Sequence, residues 1–395
     1  MLGFGRSRLL KPCRRREERT DARAKVSRAI IPGAQRQQLR RRDRRRRGLQ
    51  VASILVAATT IVLGWLLRRR RPRENAPSLA GQVLAFWVRV VFRPFSDRLL
   101  EFDLDRLRRA IDRGRFIRLP SGVTVKAASA GKVQAEWVAP DRHVAGRHLL
   151  YLHGGGFMMG GLGSHRHWVA SLARAFRAKT LHLEYRVAPE HPYPASLEDC
   201  VASYRWLLDS GVDPQHLILA GESAGGGLVI STLLRARQEG IPLPRAGICI
   251  SGVFDFTFSG PSHIENSRSD YVEPRGVHRM EQHYLAGHDP RDPMVSSVFA
   301  DLTGLPPLYL VAGAAELLLS DTELLADRAR ECGVDVTLRV IPGMLHAFPV
   351  MLFLPEARRV RREMTAFVEE HLAAPNAATP AVSKRAKRFV PQFRT

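Results

Sequence analysis

The central part of the chain alternates two rhythms. Short runs of consecutive apolar residues recur, among them HLLYL at 148–152, HLILA at 216–220, GICISG at 247–252 and PLYLVAG at 307–313. Between them lie longer stretches whose apolar residues return every three or four positions. The runs predict strands buried on both faces, and the stretches predict helices with one buried stripe. In order, GVTVKAA and VQAEWVAP form an edge hairpin, followed by a strand at 148–155, a helix at 165–177 and a strand at 179–185. A proline-rich loop at 187–195 leads into a helix ending near 210. Then come strand 216–220, a helix, strand 247–252, an irregular insertion to about 303, strand 307–313, helix 321–332, strand 335–342 and helix 355–372. Alternation at these lengths implies a mostly parallel sheet covered on both faces, an α/β fold.

Upstream, Leu84, Trp87, Val88 and Val91, then Leu99, Leu104, Leu107 and Ile111, stand at helical spacing. They predict two or three amphipathic helices over 77–118 whose apolar faces need a partner, and the mouth of the following domain offers one. Farther upstream, residues 48–67 carry no charge and are flanked by Arg44–Arg47 and Arg68–Arg71. That length matches a membrane-spanning helix. A cleavable signal peptide fits worse, because the basic leader is long and a small-residue cleavage site is missing. The expectation is a single N-terminal anchor with lipid contact through 44–71, and a cytoplasmic protein is the alternative. Both flanks are basic, which leaves the orientation open, and the more basic N-terminal flank favours residues 1–47 on the cytoplasmic side.

Charge changes this picture little. The formal net charge of the 395 residues is +23, yet residues 1–47 carry 18 Lys/Arg against 4 Asp/Glu. Residues 68–76 add five arginines and one glutamate, residues 384–395 add five basic residues and no acid, and 77–383 is neutral. The basic ends read as disordered arms. The arm 1–47 has no interleaved aromatic stacking pattern, and the charge outside the folded region carries no recognisable reading element, so a specific nucleic-acid partner is not expected. Cys13, Cys200, Cys249 and Cys332 are too irregularly spaced for a disulfide framework or a zinc site, and Cys249 reads as a buried thiol. No cofactor and no metal are expected.

The chemistry centres on Gly221-Glu222-Ser223-Ala224-Gly225, where an apolar strand meets a helix. A serine at such a turn has its hydroxyl exposed above the sheet. An activated serine needs a base and an orienting acid, which in this architecture follow it in the chain. His346, in the loop after the last predicted strand, is the expected base. The loop after strand 307–313 offers Glu316 and Asp321; Glu316 is closer to the strand end and Asp321 reads as a helix cap. At 153–156, HGGG ends a strand with bare backbone amides. Those of Gly154 and Gly155, with that of Ala224, are candidate oxyanion donors. A phosphate loop would need a following Lys and Ser/Thr that are absent. His153 is expected to pin this loop, and Phe157, Met158 and Met159 to supply an adaptable apolar wall to the substrate pocket.

HGGGF at 153–157, YRVAPEHPYPA at 185–195, GESAGG at 221–226 and the late histidine together resemble the hormone-sensitive-lipase-like family of α/β-hydrolases over about 80–375. The resemblance implies an α/β-hydrolase fold with nucleophile Ser223, base His346, acid Glu316 and oxyanion donors Gly154, Gly155 and Ala224. Relatives more often have Asp-Pro-Leu where this chain has Glu316-Leu317-Leu318, which keeps Asp321 as an alternative. It also implies a helical cap made by 77–118 and part of 255–300, and structural roles for Glu222 and Asp199. The expected activity is hydrolysis of short- to medium-chain carboxylic esters, the partner being a small-molecule ester. Lactone or amide hydrolysis by the same triad, and a non-catalytic binding protein on this fold, are the alternatives.

Overall fold

A computed structural model describes residues 76–93 and 103–373. The basic arm 1–47, the apolar stretch 48–67, Leu99 and the tail 376–395 lie outside the described residues. The chain enters through helices α1 (Leu79–Trp87) and α2 (Leu104–Asp112), then forms the hairpin β1 (Val123–Ala130) and β2 (Val133–Pro140). It continues through β3 (His148–Leu152), α3 (Leu162–Phe176), β4 (Lys179–Glu184), α4 (Ala195–Asp209), β5 (Leu217–Glu222), α5 (Ala224–Gln238) and β6 (Ala246–Ile250). The insertion after β6 contains α6 (Ser262–Glu265) and α7 (Pro274–Leu285); β7 (Leu308–Gly313), α8 (Leu319–Glu331), β8 (Val336–Ile341) and α9 (Pro355–Ala373) follow.

The eight strands form one sheet in the order β1-β2-β4-β3-β5-β6-β7-β8. β1 pairs antiparallel with β2, and β2 antiparallel with β4; every later pair is parallel. Every residue of β5, β6 and β7 is buried, because helices cover both faces. Alternate side chains split between the two layers. Tyr151, Ile218, Ala220, Ile248 and Val311 pack with Leu84 of α1, Trp168 and Leu172 of α3, and Val360 and Met364 of α9. Leu150, Leu152, Leu219, Cys249 and Leu310 pack with Leu197 of α4, Leu228 of α5 and Leu325 of α8. Each fully buried large apolar side chain contributes about 1.5–3 kcal/mol, so these two layers supply the main stabilisation. Parallel strands also send their C-terminal ends to one edge, which brings the loops after β3, β5, β7 and β8 together.

The insertion is more ordered than its sequence suggested. Val277, Met280 and Tyr284 are buried at i, i+3 and i+7 along α7, which starts on Pro274. That spacing is a helix signal, diluted by the arginines and histidines on the opposite face. α2 is held over the site by Arg108. Its Nε donates to the Met158 carbonyl and its Nη2 to the Ala188 carbonyl, both at 2.7 Å, while the guanidinium grips Glu190 at 2.7 and 2.8 Å. This fork ties the cap to the proline-rich loop, and the pairing raises the Arg108 pKa and holds the Glu190 carboxyl down at about 2. Arg108→Ala is expected to raise KM several-fold with a smaller change in kcat, measured by steady-state ester hydrolysis, because it frees the pocket wall and not the reacting groups.

The membrane assignment is corrected. Among the described residues no helix is long and apolar enough to cross a membrane. The longest, α9, has 19 residues but carries arginines and glutamates through its length and buries one face only. With the 48–67 segment outside the described residues, the transmembrane helix, the lipid contact through 44–71 and the membrane-associated location drawn from it are withdrawn.

Candidate active site

Ser223 stands between β5 and α5 with φ 54° and ψ −123°. A non-glycine residue there is strained by about 1–3 kcal/mol, and the neighbours must hold it. Its amide donates to the Ile250 carbonyl at 2.8 Å and its carbonyl accepts from Val253 at 3.2 Å. The flanking glycines are required by contact: a Cβ on Gly225 would collide with the Leu152 carbonyl, and one on Gly221 with the Gly225 carbonyl. The turn therefore closes only with hydrogen in those places.

His346 lies in the loop after β8, and its Nε2 is 2.9 Å from Ser223 Oγ. Glu316 lies in the loop after β7 and is fully buried. Its Oε2 accepts from Ser251 Oγ at 2.7 Å and from the Gly313 amide at 2.8 Å. Its Oε1 points to His346 Nδ1 at 4.0 Å, and neither atom has a hydrogen-bond partner among the described residues. Ser251 joins the two loops, since its Oγ also accepts from the Ala347 amide at 3.0 Å. Asp321 is turned elsewhere. Its Oδ2 accepts from the Phe254 and Asp255 amides, both at 3.0 Å, and its Oδ1 is 2.8 Å from His263 Nε2.

Burial opposes charge on both members of the Glu316–His346 pair. It holds the His346 imidazole down at about 4 and pushes the Glu316 carboxyl well above the usual range, with the Asp270 charge adding to the latter. At neutral pH the imidazole is thus uncharged and able to accept a proton.

The glycine loop after β3 corrects two expectations. The Gly154 amide donates to Glu222 Oε1, so it is not available to an oxyanion. The amides of Gly155, Gly156 and Ala224 make no hydrogen bond within the described residues, and both glycines line the cavity beside Ser223. HGGG alone does not say which peptide planes turn inward, so the open amide of Gly156 was not among the sequence candidates. Phe157 does not line the cavity: it is 2% exposed and stacks on Tyr284 with centroids 3.8 Å apart. Met158 and Met159 do line it.

Glu222 is the buried anchor of the glycine loop. Besides Gly154, it accepts from Tyr151 Oη and pairs with His165 Nε2 at 2.9 Å. Burial works against the charged form of His165, but Glu222 outweighs it and the His165 pKa is raised. His153 bonds the Gly154 carbonyl through Nδ1 at 2.7 Å and stacks on Tyr185 at 4.1 Å. Burial, with His165 adding to it, pushes the His153 pKa well below its ordinary value, so it stays neutral. Asp199 accepts from the Arg186 amide at 2.8 Å and pairs with its guanidinium.

The cavity in front of Ser223 measures about 420 Å³. Its apolar walls come from Leu104 and Leu107 of α2, Met158 and Met159, Val253, Val272, and Val277 and Met280 of α7. Elements of both sequence regions assigned to the cap thus face the serine. Among the described residues no group of His, Cys, Asp and Glu is arranged to hold a metal ion.

Comparison with known proteins agrees with this geometry. A family model described as the alpha/beta hydrolase fold matches residues 149–350. The chain is 43% identical over 245 residues to an acetyl-hydrolase of Streptomyces hygroscopicus, covering 61% of this chain and 81% of that protein. It is 32% identical over 222 residues to an esterase of Acinetobacter venetianus, covering 55% and 73%. Among solved structures it resembles an esterase from the bacterial hormone-sensitive lipase family, with a TM-score of 0.67 and 37% identity over 69% of this chain and 93% of that one. A hormone-sensitive lipase from a metagenome library superposes with a TM-score of 0.71 at 31% identity, over 75% and 100%. A serine at a strained strand-to-helix turn, a histidine at hydrogen-bond distance and a glycine loop with open amides accompany these likenesses, and the chain belongs to the α/β-hydrolases of the bacterial hormone-sensitive-lipase type.

Proposed function

We propose that this serine carboxylesterase cleaves uncharged short- to medium-chain acyl esters through an acyl-enzyme on Ser223. His346 is the general base and acid, Glu316 the orienting carboxylate, and the amides of Gly155, Gly156 and Ala224 the oxyanion donors. The observation that carries this is the 2.9 Å contact between a neutral imidazole and the strained serine hydroxyl. Ser223 Oγ attacks the acyl carbon as its proton passes to Nε2. The carbonyl oxygen gains negative charge beside three amides, one of them at the positive N-terminal end of α5. The tetrahedral intermediate collapses, the C–O bond to the alcohol breaks, and the alcohol leaves with the proton from Nε2. Water then attacks the acyl-enzyme with the same proton relay and releases the acid.

Glu316 enters when the imidazolium forms. Closing the 4.0 Å gap by about 1 Å would bring Nδ1–H onto Oε1, and catalytic hydrogen bonds commonly tighten when substrate binds. A cavity of about 420 Å³ lies toward the small end of ligand sites, and its methionine and leucine walls favour apolar acyl groups of limited length.

Rapid acid quench during turnover of p-nitrophenyl acetate, butyrate, octanoate and palmitate tests this directly. The expected result is an acyl mass increment on the peptide containing Ser223, with kcat/KM highest among the acetate, butyrate and octanoate esters. An acyl group on another residue, or a rate still rising at palmitate, would overturn the proposal.

A further inference from the structure

Asp270, in the insertion between β6 and β7, is fully buried, and the triad does not use it. Its Oδ1 accepts from the Tyr271 amide at 2.8 Å and from the His346 amide at 3.2 Å, and its Oδ2 accepts from the Leu317 amide at 2.9 Å. One carboxylate therefore ties together the insertion, the loop carrying Glu316 and the loop carrying His346. All these partners are donors, which suits an acceptor-only group. The adjoining side chains repeat the pattern. Asn266 Nδ2 donates to the carbonyls of Ala314 at 3.2 Å and Glu316 at 2.9 Å, Ser269 Oγ to that of Ala315 at 2.8 Å, and Tyr271 Oη to that of His346 at 3.0 Å.

We infer that Asp270 is a positioning residue for the Glu316–His346 pair, fixing the separation across which the imidazolium is stabilised. The inference rests on the acyl-enzyme reading given above. Glu316 Oε1 and His346 Nδ1 stand 4.0 Å apart, so whether the two loops can approach by about 1 Å decides whether they bond. The segment also continues into Val272 and Val277 on the cavity wall, so a substrate pressing there bears on the Asp270 tether.

The titratable groups around Asp270 are Tyr271 on its own segment, Glu316 after β7 and His346 after β8; Glu222 at the end of β5 acts on Tyr271, and Asp321 on Glu316. Burial puts the Asp270 carboxyl up at about 6, its backbone hydrogen bonds opposing the shift. Below that pH it gains a proton, one oxygen becomes a donor facing donors, and the tie loosens. Above it, the negative charge raises the pKa of Glu316. Removing the charge lowers the Glu316 pKa and abolishes the titration of residue 270, so both effects move the acid limb of kcat/KM to lower pH.

Asp270→Asn keeps the shape but places an amide donor among donors. The expected result, from steady-state rates against pH with p-nitrophenyl butyrate, is a fall in kcat of about 10- to 100-fold with KM kept within about twofold. The acid limb should shift downward, which loosened packing alone would not produce. A folded variant with wild-type kcat and an unmoved acid limb overturns the inference, as does a rise in KM at unchanged kcat. If Asp270→Asn gives no cooperative melting transition, the double variant Asn266→Ala, Ser269→Ala decides, since it unhooks the segment from the Glu316 loop while keeping the buried carboxylate. A lower kcat supports the positioning role, and an unchanged kcat sinks it. Ser223→Ala and His346→Ala are run alongside: activity surviving in them removes the acyl-enzyme reading and the inference together. If they are inactive while Asp270→Asn behaves as wild type, only the positioning role falls.

Discussion

Replacing Ser223 by alanine is expected to lower kcat on p-nitrophenyl butyrate by a factor on the order of 10⁶, leaving KM nearly unchanged. The attacking oxygen is gone, and the imidazole then has no hydroxyl proton to accept. What remains is the hydration of a bound ester polarised by the glycine-loop amides, and such residual catalysis is small. The substitution should not cost folding. Ser223 Oγ bonds His346 alone among the described residues, and alanine occupies the same left-handed backbone with the same Cβ. A melting temperature close to wild type together with lost activity is the expected pair of results. Activity within tenfold of wild type in a folded variant would mean that another group attacks the ester.

The second large effect separates the two acids. Glu316→Gln is expected to lower kcat by about 10⁴-fold. Oε2 accepts from Ser251 Oγ and the Gly313 amide, so a glutamine would keep its carbonyl oxygen there and turn its amide toward His346 Nδ1. That amide donates to Nδ1 and fixes the proton on Nε2, the tautomer that cannot take a proton from Ser223. Asp321→Asn should act on stability instead. Its carboxylate meets the Phe254 and Asp255 amides and His263, and asparagine can satisfy only part of that set. Each donor left unsatisfied costs about 1–3 kcal/mol, so the melting temperature should fall by several degrees while kcat drops far less than in Glu316→Gln. A larger loss of kcat at Asp321 would reverse the assignment.

The elements were legible in the sequence because the sheet is buried on both faces. The apolar runs at 217–220 and 308–313 leave no other period to read, and the serine turn declares itself by the small residues it needs. The relation of Ser223, Glu316 and His346 was legible for the same reason: parallel strands bring their ends to one edge. Peptide orientation was not. Three successive glycines hide which amides face inward, and only the Glu222 carboxylate on Gly154 shows that the open pair begins one residue later. Phe157 follows the glycines and is apolar, yet its φ of 56° sends the ring into the core against Tyr284. Asp270 left no local trace, since the two partners that tie it to the Glu316 and His346 loops lie 47 and 76 positions away in the chain.

The division of labour between rigid and adjustable parts has a practical consequence for redesign. Glycines 221 and 225 are locked against carbonyl oxygens and tolerate no added atom. Leu107 on α2 and Met280 on α7 belong to helices that no ladder hydrogen bond joins to the sheet. An engineer seeking to admit bulkier esters would diversify those two side chains and leave the strained serine turn untouched.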